Sequence, residues 1–195
     1  MLGPLGRPFE IPAGLKTAYL IGGGVGIPPL YLLAKCMAEK VRIEVFLGAR
    51  TRDWVICAPD FRKMGVPVHI ATDDGTLGTQ GSVVDLLEAV LRTSSPPSMP
   101  LEGKLRRGSD SPFRGNDGAV LYICGPTPMM AAAAAFVHRK KLAAQVSLEE
   151  RMGCAMGCCM GCVVEVATKP AASHARFQRV CTEGPVFPAE VIAWK

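Results

Sequence analysis

The sequence has few aromatics and little net charge. Phe, Trp and Tyr make up 6% of the 195 residues, too few for a base-stacking surface. Lys and Arg outnumber Asp and Glu by only 22 to 17, a net charge of +5. The basic residues are scattered, so no nucleic-acid partner is expected. The opening MLGPLGRPFE lacks a basic stretch followed by an apolar one, so no signal peptide is read there. Uninterrupted apolar runs of membrane length are also missing. Residues 17–34 and 118–137 are uncharged, and length alone would admit the second as a spanning helix. But Gly22, Gly23, Gly24, Gly26, Pro28 and Pro29 break the first run, and Gly125-Pro126-Thr127-Pro128 breaks the second. Each reads as a buried strand, a tight turn and a helix. No membrane association and a cytoplasmic location are expected.

Cysteine, by contrast, is abundant, with eight residues. Cys36, Cys57 and Cys124 are solitary, whereas Cys154, Cys158, Cys159, Cys162 and Cys181 crowd into one segment. A secreted disulfide framework spreads its cysteines. Clustering without a signal peptide points to a metal.

Short β-rich runs alternate with helical ones along residues 15–150. Strands are predicted at 16–21, 41–47, 66–71, 119–124 and 145–148. Helices are predicted at 28–39, 53–63 (interrupted by Pro59), 83–91 and 128–141. This order implies an α/β fold: an open, mainly parallel sheet with helices on both faces. Residues 92–118 are rich in Ser, Pro, Gly and Arg and read as a mobile surface loop. Residues 151–195 form a separate C-terminal segment. The chain is therefore divided into 1–14, a nucleotide-binding unit at 15–150 and a cysteine segment at 151–195.

Three turns are predicted to fall at the carboxyl ends of strands, the edge where ligands bind in open α/β sheets. The first is Gly22-Gly23-Gly24-Val25-Gly26-Ile27-Pro28-Pro29. Its glycines suit close approach to a pyrophosphate at a helix N-terminus, although a purely structural turn has the same composition. Pro29 stands where the usual dinucleotide fingerprint has its third glycine. The second is Cys124-Gly125-Pro126, whose cysteine is either a site residue or core. The third contains Asp73 and Asp74. These suit acid–base chemistry or ribose hydroxyls, or simply a polar turn leading to Ser82 as a helix N-cap. Arg50 and Arg52 follow the second strand, where they either meet a 2′-phosphate or face solvent, so NAD and NADP both stay open.

The segment Cys154-x4-Cys159-x2-Cys162, with a further cysteine downstream, has plant-type [2Fe–2S] spacing. A structural zinc site would also use four thiolates, but normally in two short knuckles. Cys158 is either a competitor of Cys159 or a bystander. His174 is expected to be exposed rather than a ligand.

The glycine loop, the TDDG-x2-G-x2-G turn, the CGP turn, the segment SLEERMGC-x4-C-x2-C and the closing RVCTEGPVF occur here in a familiar order. Together they resemble the electron-transfer subunits of two-subunit, NAD-linked dihydroorotate dehydrogenases, in the ferredoxin–NADP reductase-like superfamily. The resemblance spans residues 3–195 apart from the 92–118 loop. It implies an oxidoreductase subunit that relays electrons through FAD and one [2Fe–2S] cluster between NAD and a catalytic partner. That partner would oxidise dihydroorotate to orotate in pyrimidine synthesis, within a heterotetramer. It further implies Cys154, Cys159, Cys162 and Cys181 as cluster ligands. Gly22 to Gly26 with Cys124, Gly125 and Pro126 would line the nicotinamide nucleotide site. The opening Leu2-Gly3-Pro4-Leu5-Gly6 resembles the family's exit from its flavin barrel, so Leu5 and Gly6 are expected near the flavin and the barrel itself essentially absent. No acid–base catalyst is required of this chain. Related ferredoxin-linked or sulfide dehydrogenase reductases, or a non-catalytic cysteine module, are the alternatives.

Overall fold

The computed structural model describes residues 6–93, 118–167 and 176–194. Leu5, His174, the excursion at 168–175 and nearly all of the predicted 92–118 loop lie outside the described residues.

Strands β1 (Thr17–Gly23), β2 (Arg42–Ala49), β3 (Val68–Thr72), β4 (Thr79–Gln80), β5 (Ala119–Cys124) and β6 (Ala143–Ser147) pair in parallel. Their order across the sheet is β4-β3-β2-β1-β5-β6. The interior of β2 is buried on both faces, which explains its apolar run with little alternation. Helices α1 (Ile27–Met37), α2 (Ala58–Lys63), α3 (Val83–Thr93) and α4 (Thr127–Lys140) are the crossovers. One core, containing Leu30, Ala34 and Phe61, lies under α1 and α2. The other, containing Leu87, Ala133 and Phe136, lies under α3 and α4. The sheet thus has helices on both faces, as predicted.

The predicted helix over 53–63 is in fact two pieces. A 3-10 turn covers Arg52–Trp54, and α2 starts only at Ala58. Cys57 separates them at φ 59, a left-handed conformation that no α-helix continues through, and Pro59 then sits in the first turn of α2, where its missing N–H costs nothing. The two-residue β4 was too short for a periodic signal. Ser82 caps α3 as expected: its Oγ accepts the Asp85 N–H at 3.1 Å and donates to Asp85 Oδ2 at 2.7 Å.

The cysteine segment is not a loose appendage. Its last strand, β9 (Val186–Pro188), adds antiparallel to β6 at the sheet edge. A small hairpin, β7 (Val163–Glu165) with β8 (Phe177–Arg179), precedes it. Cys162, Val180, Cys181 and Phe187 share one core with Val146 and Phe136. Buried Gln145 on β6 is satisfied by the N-terminal segment. Its amide donates to the Glu10 carbonyl at 2.7 Å, and its oxygen accepts the Glu10 N–H at 2.9 Å. Among the described residues no helix is long and apolar enough to cross a membrane.

Candidate functional site: a nucleotide groove and a cysteine loop

The sheet order reverses at β1, which has β2 on one side and β5 on the other. Two crossovers leave this point in opposite directions, so the loops at its carboxyl end part and open a crevice. The loops after β1 and β5 meet there. A Cβ added to Gly26 would lie 2.2 Å from the Cys124 carbonyl oxygen and 2.5 Å from the Gly125 nitrogen. A Cβ on Gly23 would lie 2.7 Å from Met129 Sδ, and one on Gly125 2.6 Å from Met129 Cε. Gly26 therefore serves backbone-to-backbone packing. Gly24 differs: it has φ +53 and open space around it, the property of a peptide presented to a ligand.

A groove of about 540 Å³ opens beside these loops, on the α3 and α4 side. Gly23, Gly24, Arg50, Asp73 and Pro126 line it. Of the predicted residues, Gly22, Gly26, Pro29, Cys124, Gly125 and Asp74 are not among its walls. Gly22 lies in the strand against Ile27 and Leu30. The Cys124 side chain is buried in the core under α1, and burial pushes its thiol pKa up. Asp74 is engaged in its own turn, where its Oδ1 accepts the Thr76 N–H at 3.0 Å and the Thr76 hydroxyl at 2.7 Å. Those bonds hold the Asp74 carboxyl below the usual range. Arg52 is likewise committed, donating from Nη2 to the Thr76 carbonyl at 2.9 Å. Asp73 and Arg50 are thus the charged side chains that border the groove.

The N-terminus of α1 offers fewer donors than the fingerprint suggests. Pro28 and Pro29 carry no N–H, and the Ile27 N–H bonds the Gly24 carbonyl. A pyrophosphate here would rely on peptides of the glycine loop rather than on the helix end. Sequence reasoning missed Trp54 and Met129. Trp54 is 66% exposed at the rim of the groove. Its rarity, as one of two tryptophans in the chain, is the signal that could have found it.

The cysteine loop lies between β6 and β7. Ala155 and Met160 adopt φ of 57° and 58°, left-handed values that cost about 1–2 kcal/mol each in non-glycine residues. Such strain concentrates at functional sites. The turns aim amides at sulfur: the Cys158 and Cys159 N–H groups each donate to Cys154 Sγ at 3.3 Å, and the Gly161 N–H donates to Cys159 Sγ at 3.4 Å. A side chain at Gly153 would crowd this arrangement, since a Cβ there would lie 3.0 Å from Cys159 Sγ. The amide of Cys159 above all, then that of Met156, pulls the Cys154 thiol down to about 6. It is a thiolate near neutral pH, the form that binds metal.

The four predicted ligands fall into two pairs. The Cys154 thiol contacts that of Cys159. The Cys181 thiol contacts that of Cys162, which together with burial raises its pKa. Cys162 and Cys181 are only 3% and 7% exposed. Among the described residues no three His, Cys, Asp or Glu side chains are gathered closely enough to hold a single ion. The donor set and the amides directed at sulfur fit the cluster. Cys158 is exposed, and its thiol makes no hydrogen bond among the described residues.

Beside this loop, Glu183 accepts from Arg179 through the backbone N–H at 2.7 Å and the guanidinium Nε at 3.0 Å. The Arg179 guanidinium holds the Glu183 carboxyl down at about 2, against 4.5 for an ordinary glutamate. The folded-state pKa is depressed, so the resulting stabilisation is present above about 4.5 and lost as pH falls toward 2. The packing around Trp194, whose Nε1 donates to the Ala189 carbonyl at 3.0 Å, is expected to loosen across that window. Glu183→Gln is expected to flatten this acid limb, as read by tryptophan fluorescence.

Gly6 lies not at an open surface but against the cysteine segment. A Cβ there would meet the Gly184 oxygen at 2.6 Å, and the Arg7 N–H donates to that same oxygen at 2.5 Å.

Comparison with known proteins matches both halves of this arrangement. Residues 20–135 match the oxidoreductase NAD-binding domain. The chain belongs to that family. Residues 149–193 match the iron–sulfur cluster binding domain of dihydroorotate dehydrogenase B. Relatives named as electron transfer subunits of dihydroorotate dehydrogenase B (NAD(+)) occur in Desulforamulus reducens and Bacillus caldolyticus. The first is 35% identical over all of this chain and 65% of the relative; the second is 38% identical over 97% and 63%. The chain therefore spans just under two thirds of the length of these relatives. Among solved structures, that of an NADH-dependent reduced ferredoxin-NADP oxidoreductase superposes with a TM-score of 0.73 at 29% identity, covering 99% of this chain and 59% of that one. The ferredoxin reductase of carbazole 1,9a-dioxygenase shares the fold, with a TM-score of 0.50 at 20% identity over 69% of this chain and 36% of that one. The oxidoreductase NAD-binding unit, its iron–sulfur segment and the ferredoxin reductase-like fold thus agree with the resemblance read from the motifs.

Proposed function

We propose that this chain is the electron-transfer part of an NAD-linked dihydroorotate dehydrogenase. Electrons would pass between NAD, FAD, a [2Fe–2S] cluster and a catalytic partner subunit that oxidises dihydroorotate to orotate. A heterotetramer with that partner, in the cytoplasm, completes the proposal. The observation that carries it is the packing of an NAD-binding sheet and a paired-thiol loop on one core, with β9 stitched to β6.

The chain's own residues have distinct tasks. The loops at 22–26 and 124–126 shape the groove for the nucleotide. Arg50 and Asp73 flank it, and Asp73 is proposed to accept from a ribose hydroxyl. Cys154 with Cys159, and Cys162 with Cys181, would hold the cluster, which supplies one-electron steps. A flavin divides a hydride into single electrons, and the described residues contribute no identified flavin contact. Units at 15–150 and 151–195 are the working division of labour, with 1–14 leading in.

Two measurements test the proposal. Iron analysis of anaerobically purified chain is expected to give about two irons and negligible zinc; about one zinc without iron would refute it. Orotate-dependent NADH oxidation with the catalytic partner tests the reaction. The solved reductase that covers 99% of this chain favours a second reading, a ferredoxin-linked reductase, which reduction of ferredoxin in place of orotate would reveal.

Asp73→Asn is expected to weaken NADH binding roughly tenfold, the value of one hydrogen bond to a charged group. Asp74→Asn is expected to leave the affinity unchanged, because Asp74 is engaged with Thr76. Titration by nicotinamide fluorescence separates the two.

A further inference from the structure

One side chain reaches the peptide that donates to Cys154. Arg179 on β8 donates from Nη1 to the Gly157 carbonyl at 3.0 Å. That carbonyl belongs to the same peptide unit as the Cys158 N–H, which donates to Cys154 Sγ at 3.3 Å. The peptide is therefore held at both ends, by a cation on its oxygen and by a sulfur on its hydrogen. Pulling electron density toward the oxygen makes the N–H a stronger donor, and chains of hydrogen bonds polarise one another in this way. Glu183 fixes the guanidinium through both of its carboxylate oxygens, so the planar fork is pre-aimed at Gly157. Gly157 tolerates nothing larger here: at φ +88, a Cβ would lie 3.0 Å from Thr182 Cγ2 and 3.2 Å from Arg179 Nη1.

We propose that Arg179 is a positioning residue that sets the reduction potential of the cluster, acting on Cys154 through the Gly157–Cys158 peptide and held in place by Glu183. This rests on the cluster reading given above. Reduction of a bound cluster would add one electron and no proton and break no bond, its charge being shared among the irons, the inorganic sulfides and the thiolate sulfurs. Hydrogen bonds to those sulfurs and nearby positive charge stabilise the reduced form. Such outer partners tune a metal site without touching the metal. A clamp that only shaped the loop would change how much cluster is bound, not the potential of what is bound.

The test is a dithionite titration of the full, iron-loaded chain, followed by electron paramagnetic resonance. It is run on the unaltered protein and on Arg179→Gln, Arg179→Lys and Glu183→Gln. Arg179→Gln is expected to shift the midpoint potential to more negative values, and Arg179→Lys to fall between, since it keeps the charge but not the fork. Glu183→Gln releases the guanidinium that Glu183 holds and is expected to shift the potential in the same direction as Arg179→Gln, by less because it also removes a negative charge. A shift the other way would show that charge alone counts and would overturn the proposal. Arg179→Lys decides the matter if Arg179→Gln fails to load iron. Resonance Raman spectra of the loaded fraction provide a second readout. The deuterium sensitivity of the iron–thiolate stretches is expected to diminish in Arg179→Gln. Lower iron content with an unmoved potential and unchanged deuterium sensitivity would overturn the proposal alone. The absence of any reduced-cluster signal in the unaltered chain would overturn the cluster reading along with it.

Discussion

Chain carrying Cys154→Ser is expected to lose nearly all of its iron and its electron transfer, whereas Cys158→Ser keeps both. The two residues lie four apart in one loop, and their types are identical. What separates them is the direction of the backbone. The Cys158 and Cys159 amides point at Cys154 Sγ and hold it as a thiolate near neutral pH. The Cys158 and Cys159 thiols are both exposed, but Cys159 Sγ accepts the Gly161 N–H, whereas among the described residues only the N–H of Cys158 serves the site. Serine keeps that N–H. Cys159→Ser, Cys162→Ser and Cys181→Ser are expected to behave like Cys154→Ser. Loss of an outer partner of a metal site costs roughly 10–100-fold in affinity or activity, and loss of a ligand falls at or beyond the upper end. Iron per chain, visible absorbance and the reduced-state resonance signal check this together. Iron retained at the unaltered level in Cys154→Ser would break the ligand assignment, and iron lost in Cys158→Ser would transfer the role to the odd cysteine.

Spacing alone left Cys158 and Cys159 as competitors. Two residues adjacent in a loop satisfy nearly the same spacing rule, and both are exposed; only the folded loop, with its φ reversals at Ala155 and Met160, shows that it is Cys159 whose sulfur accepts the Gly161 N–H and meets the Cys154 thiol. Nothing in residue type foretells a left-handed alanine or methionine. The parallel sheet, by contrast, was legible, because doubly buried strands must be apolar along their whole length and Gly or Pro must end them. β9 was not: three residues long, it adds to the sheet through backbone bonds that carry no side-chain signature. The nucleotide loops were legible as places but not as roles. The sequence motif treated Gly24 and Gly26 alike. Asp73 and Asp74 were equally indistinguishable, since the Thr76 bonds that occupy Asp74 arise only once the turn has closed.

That difference between the glycines predicts the second large effect. Gly26→Ala is expected to destabilise the fold by about 3 kcal/mol, the cost of overpacking a closed site, and to abolish NADH binding. The added methyl would meet the Cys124 carbonyl and the Gly125 amide. These are backbone atoms at the end of a central strand with no rotamer to yield. Relief requires the loops after β1 and β5 to separate, and their meeting defines the wall of the groove. Gly24→Ala tests the opposite case. Nothing lies within 4 Å of its Cβ position, and only the φ of +53 resists the change, so about 1 kcal/mol is expected. Any loss of NADH affinity beyond that strain would come from the methyl standing where the pyrophosphate approaches. Denaturant midpoints and NADH titrations on both variants separate these terms. A stable Gly26→Ala protein with unaltered binding would show that the two loops slide freely past one another. In that case the groove owes its shape to α3 and α4 rather than to the glycine turn.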